Sequence, residues 1–141
     1  MTRLVVDAST LTSGVASRPG GGTPWLLLLA LIDLEFEAIV CPRLIQEFSD
    51  ALGNRYFQER FDARDLDGIV TSVTSVATMY EDPARVEPLL RDPDDDYLVA
   101  LAREAGAEVI VSGDKDLLDH PGLEPRAIDA RDACKLLGLL D

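Results

Sequence analysis

Asp7, Glu47, the run Asp94-Asp95-Asp96 and the pair Asp114 and Asp116 form four acidic stations along the chain, three of them where an apolar stretch ends or a helix begins. Carboxylates gathered from such places repel one another unless protons or cations intervene. Mg2+ or Mn2+ answers that repulsion: such hard ions prefer carboxylate and water oxygens, keep several waters, and can hold a phosphate while activating an attacking water. Each station also has a plain structural use. Aspartate begins turns and caps helices, and acids at a helix N-terminus gain about 0.3 to 1 kcal/mol each from the dipole and the free amides. Within the triple run, helical spacing sets Asp95 on the side of Leu98, Val99 and Ala102, toward the body of the protein. Asp96 falls with Ala100 and Arg103, nearer solvent, so Asp95 is the favoured ligand and Asp96 the fallback. Glu47 lies between Leu44 and Phe48 on a helix, where a half-buried carboxylate without a partner is costly and a shared cation relieves the cost. Ser112 stands where it could orient a carboxylate or a water.

The elements that must position these groups follow from the apolar pattern. A β-branched run at residues 3–7 predicts a first buried strand with Asp7 at its carboxyl end. The stretch Arg18-Pro19-Gly20-Gly21-Gly22 reads as a loop, followed by Thr23 as N-cap, Pro24 in the first turn and a helix over residues 25–34. That glycine stretch has neither a following Gly-Lys-Ser/Thr nor a GxGxxG spacing, which excludes a phosphate-cradling loop. Further strands are expected at residues 37–41, 76–80, 108–112 and 126–128. Helices are expected from Pro42 to about residue 53, over 55–74 as one or two pieces, after the aspartate run, briefly after Gly113, and from Asp129. Strands alternating with helices predict a parallel sheet covered on both faces, with function in the crevice outside the strand carboxyl ends, where Asp7 and Asp114 fall.

Bulk properties narrow the classes. The 141 residues are 47% hydrophobic and fit one domain, residues 1–141, with its own core. The longest apolar run, residues 25–32, is too short to span a bilayer, and Asp7 interrupts the N-terminal apolar stretch before a signal-peptide core is complete. A cytoplasmic protein without membrane contact is expected. Cys41 and Cys134 lack any CxxC or Cys/His spacing, which argues against a zinc site or a disulfide framework. Thirteen basic against 26 acidic side chains give a net charge of -13, so nucleic acid is not held by a broad basic face.

Leu4-Val5-Val6-Asp7-Ala8-Ser9, Glu47 in Leu44-Ile45-Gln46-Glu47-Phe48, the stretch from Arg91-Asp92-Pro93-Asp94-Asp95-Asp96 to Ala102, and Val111-Ser112-Gly113-Asp114-Lys115-Asp116-Leu117-Leu118 together resemble the PIN-domain nucleases. The likeness runs from Arg3 to about Gly138 and is strongest to the subgroup of toxin components of bacterial toxin–antitoxin systems. It implies a three-layer α/β/α fold with a five-stranded parallel sheet, and Mg2+- or Mn2+-dependent hydrolysis of RNA by water, two ions bridging carboxylates and phosphate. Position by position, Asp7, Glu47, Asp95 and Asp114 match the core acids, Asp116 the often acidic fifth position, and Ser9 and Ser112 small hydroxyl positions. It also implies a cognate antitoxin, reaching into the acidic cleft with an arginine, and pairing with a second copy. Arg18, Arg43 and Lys115 are the candidate RNA contacts, and His120 has no catalytic part. Two rivals remain. A phosphorelay receiver would carry an acid pair after the first strand and a lone aspartate after the third, whereas here Ala8-Ser9 and Tyr80-Glu81-Asp82 stand in those places. A PIN-like module that binds RNA or a partner without cutting is disfavoured by retention of all five acids.

Overall fold

In the computed structural model, residues 1–17 and 21–141 are described. Five short strands, β1 (Arg3–Val6), β2 (Glu37–Val40), β3 (Thr78–Met79), β4 (Val109–Val111) and β5 (Ala127–Ile128), form one parallel sheet in the order β3-β2-β1-β4-β5. Leu4, Val5 and Val6 of β1 pair with Val109, Ile110 and Val111 of β4, and all six are buried. That burial explains why the central strands read as unbroken apolar runs rather than alternating ones. The order differs from the 2-1-3-4-5 arrangement of the receiver-type doubly wound sheet, which removes the receiver rival.

The helices are α1 (Ala8–Ala16), α2 (Gly22–Ile32), α3 (Pro42–Leu52), α4 (Arg55–Arg60), α5 (Ala63–Val76), α6 (Asp96–Ala105), α7 (Lys115–Leu118) and α8 (Ala130–Leu136). α6 packs across β1, β2 and β4, while α1, α2, α3, α5 and α8 pack among themselves, giving the α/β arrangement expected. Chain connections leave β1 toward β2 on one side and reach β4 on the other. The crevice at the carboxyl ends of β1 and β4 is therefore the switch point of the sheet.

Several boundaries differ from the sequence expectation. α1 has no counterpart in it, because Ala8-Ser9-Thr10-Leu11-Thr12-Ser13-Gly14-Val15-Ala16 is rich in hydroxyl residues that favour caps and turns over helix interiors. Its inner face is nonetheless buried through Leu11, Gly14 and Val15, and a Cβ at Gly14 would stand 2.7 Å from the Pro24 carbonyl oxygen, so only glycine permits so close an approach of α2. α2 starts at Gly22, with Gly21 as an N-cap that offers no side chain, and ends at Ile32, Leu34 taking a left-handed φ of 58°. The expected third strand shrinks to two edge residues because α5 continues to Val76. No helix among the described residues is long and apolar enough to cross a membrane.

Candidate functional site

β1 delivers Asp7 to the crevice, where its backbone N–H donates to the Val111 carbonyl at 3.0 Å. Asp7 is also the N-cap of α1: Oδ1 accepts from the Thr10 N–H at 2.8 Å. Its other oxygen, Oδ2, accepts from the hydroxyl of Ser112. Ser112 directly follows β4 and is fully buried, and its Oγ in turn accepts from the Asp114 N–H at 3.0 Å. One hydroxyl thus links the two strand-end acids. Asp114 caps α7, its Oδ1 accepting from the Asp116 N–H at 2.9 Å.

Glu47 comes from the middle of α3 and Asp95 from the end of a single 3-10 turn, Pro93–Asp95, that leads into α6. Asp95 makes no side-chain cap bond. Asp7, Glu47, Asp95 and Asp114 all line one cavity of about 520 Å³, together with Ser9, Thr12, Ser13 and Tyr97. Burial, then the hydrogen bond and charge of Asp114, with smaller contributions from Asp92 and Asp7, push the Asp95 carboxyl up to about 7. Burial and the neighbouring Glu47 carboxylate hold the Tyr97 phenol well above its ordinary value. Glu47 Oε1 is buried and has no hydrogen-bond partner, with Arg43 Nε 3.6 Å away. The Arg43 guanidinium lies 4.2 Å from the Tyr97 ring centroid and donates to the Asp94 carbonyl at 2.9 Å.

The four acids share this cavity without closing on a point: among the described residues, no three Asp, Glu, His or Cys side chains stand close enough to cage an ion as they are. Asp116 does not line it. Its side chain lines an adjoining cavity with Arg91, Lys115, Asp119 and His120. Asp96, expected nearer solvent, is only 3% exposed. It does face the side of Ala100 and Arg103, but a connection at residues 85–89 covers that side, and its Oδ1 accepts from the Leu89 and Leu90 N–H groups at 3.2 and 2.8 Å. A covering loop of this kind leaves no trace in helical periodicity. His120 lies away from the four acids, its ring nitrogens each 3.1 Å from a carbonyl, of Pro121 and Leu89. Of the candidate RNA contacts, Arg43 stands at the rim, Lys115 at the adjoining cavity, and Arg18 lies outside the described residues. Tyr97 was not anticipated, although a tyrosine inside an apolar helix face directly after the acidic run was the available signal. Thr12 and Ser13 had none, since α1 itself was unforeseen.

The PIN domain family profile matches residues 3–116. Among solved structures, the chain is similar to the crystal structure of PAE2754 from Pyrobaculum aerophilum, with a TM-score of 0.69 and 20% identity over 99% of this chain and 91% of that one. At that identity the likeness concerns the fold. No curated protein matches the chain. PIN domains are generally nucleases and typically use divalent metals, which supports a hydrolase role here. With a profile match over most of its length, the five-stranded parallel sheet and an acid-lined crevice at the switch point, the chain belongs to the PIN domain family.

Proposed function

We propose that the protein is a metal-dependent endoribonuclease that hydrolyses RNA phosphodiester bonds at the cavity between β1, β4, α3 and α6. The observation that carries this reading is that four carboxylates from distant segments line one cavity, two features of which favour a cation. Glu47 Oε1 is buried without a hydrogen-bond donor and has only the Arg43 guanidinium, 3.6 Å away, as a charge partner, and burial and its acidic neighbours push the Asp95 carboxyl up to about 7. An oxygen-only donor set suits Mg2+ or Mn2+. Asp7, Glu47, Asp95 and Asp114 would hold the metal, and when bound it supplies positive charge at the phosphate and a water of lowered pKa.

The protein's own groups do the rest. Thr10 and Ser112 fix both oxygens of Asp7, and Ser112 sets Asp7 against the Asp114 main chain. Glu47, across the cavity, stands 3.6 Å from Arg43 Nε, and the same guanidinium donates to the Asp94 carbonyl, so Arg43 is engaged within the protein. Asp116 sits in the adjoining cavity and its amide orients Asp114, an indirect part in the site. Purified protein should cleave RNA in Mn2+ and lose that activity in EDTA and in Asp7→Asn. Equal cleavage by Asp7→Asn would assign the activity to a contaminant and end the proposal.

We further propose that the protein is the toxin of a type II toxin–antitoxin pair. The acid-lined cavity suits an arginine of a partner peptide. Co-expression with a small DNA-binding protein encoded beside it should yield a complex that no longer cleaves RNA; a free, active nuclease in that experiment would refute the pairing. Exposed Leu26 and Leu29 on α2 and Leu136 on α8 support self-association, for which a monomeric mass in sedimentation equilibrium would be the contrary result.

A further inference from the structure

We propose that the cavity lined by Arg91, Lys115, Asp116, Asp119 and His120 is a subsite for the RNA nucleotide next to the scissile bond, its phosphate held by Arg91 and Lys115. This rests on the ribonuclease reading and adds to it the place where a chain of net charge -13 takes hold of a polyanion.

The turn after β4 supplies the geometry. Gly113 lines one hollow, shared with Ser9, Ser13 and Arg131. Asp114 lines the carboxylate cavity, and Lys115 and Asp116 line the third. Consecutive Cα atoms are about 3.8 Å apart, so a strand with its reactive phosphate at Asp114 has the hollow lined by Lys115 and Asp116 within one or two residues' reach.

Available charge selects which hollow. Arg3, Arg43, Arg55 and Arg103 each stand within 4 Å of a carboxylate, and Arg60 lies over the Tyr56 ring. Among the described residues, the Arg91 and Lys115 side chains have no ion pair or hydrogen bond, and neither Asp116 nor Asp119 is within 4 Å of them. Two uncommitted cations at the third cavity compare with the single Arg131 at the first. Asp116 and Asp119 are left as acceptors for the N–H donors of a base. The volume, about 380 Å³, lies in the range of small-ligand pockets, roughly 300 to 1,000 Å³.

The rim is also held in place. Asp96 fixes the Leu89 and Leu90 amides and His120 Nε2 meets the Leu89 carbonyl, so the main chain leading to Arg91 is tied to α6 and to the turn after α7. A contact organised in advance loses less entropy on binding.

The test combines KM and kcat for cleavage of a short single-stranded RNA with its equilibrium binding, in an Asp7→Asn background, across a KCl series. The doubly substituted Arg91→Gln/Lys115→Gln protein should show KM raised about tenfold with kcat little changed, as expected for lost phosphate contacts. Its log–log salt slope should be shallower by about 0.7, the share of the one phosphate that the two side chains hold on a single strand. Its melting temperature should match wild type, because both side chains are exposed. Unaltered KM and slope in a protein whose wild type cleaves RNA would overturn the subsite and leave the ribonuclease reading standing. A loss of slope in Arg131→Gln instead would put the neighbouring nucleotide in the other hollow and overturn it equally. A wild type that neither binds nor cleaves RNA would overturn both readings.

Discussion

Ser112 is both donor and acceptor between Asp7 and Asp114, and alanine there removes both bonds without adding bulk. Loss of an outer partner of this kind typically costs about 10–100-fold in metal affinity or activity. Ser112→Ala should therefore weaken Mn2+ activation by that order, and an unchanged Mn2+ titration of cleavage would deny the hydroxyl its orienting role. The raised carboxyl of Asp95 has a signed consequence for stability. Folded and free of divalent ions, the group keeps its proton to about pH 7, whereas its ordinary value is 3.8, so between those values the folded state binds more protons than the unfolded one. The stability it contributes is fully present below about pH 4 and is lost as pH rises through about 7. In EDTA, the melting temperature of wild type should fall across that window more steeply than that of Asp95→Asn; parallel curves in differential scanning calorimetry would contradict this. At this scale much of the site was legible, because Asp7 and Asp114 follow apolar strands; Asp95 lines the cavity from the end of a 3-10 turn, although it is less buried than Asp96. The burial of Asp96 was not, since the chain that covers it approaches from outside its own helix.

At the level of elements, the start of α6 separates two adjacent acids by task. Asp95 faces the carboxylate cavity while Asp96 fastens the connection ahead of the helix through the Leu89 and Leu90 amides. Asp96→Ala leaves two amides without their acceptor and should destabilise the protein by about 2–3 kcal/mol, measured as a lower urea midpoint. Asp95→Ala should abolish cleavage while keeping or raising that midpoint in metal-free buffer. The reverse pattern would exchange the roles of the two residues. Strands and the larger helices were readable from apolar runs and their spacing. α1 was hidden by its serines and threonines, and what makes it a helix lies elsewhere: the Asp7 cap at one end and the close approach of α2 at Gly14. The alternation of elements announced a parallel sheet, but the order β3-β2-β1-β4-β5 is a tertiary property with no local signature.

Across the whole molecule, the excess of acid over base means that a divalent ion held at the proposed site would also relieve repulsion. A ligand that binds only the folded state at 100 times its Kd adds about 2.7 kcal/mol of stability. Mn2+ should accordingly raise the melting temperature in a concentration-dependent, EDTA-reversible way, and should do so far less in Asp7→Asn; equal shifts in the two proteins would locate the ion elsewhere. The pairing of β1 with β4 sets a further condition. Asp7 and Ser112 meet although 105 positions separate them, and the neighbouring Asp114 leaves the ribosome correspondingly late. While the chain is being made, the translation machinery, itself built of RNA, therefore faces only fragments of the proposed centre. On the proposed ribonuclease reading, the centre is complete only once β4 stands beside β1, so a chain still lacking β4 would not yet cleave.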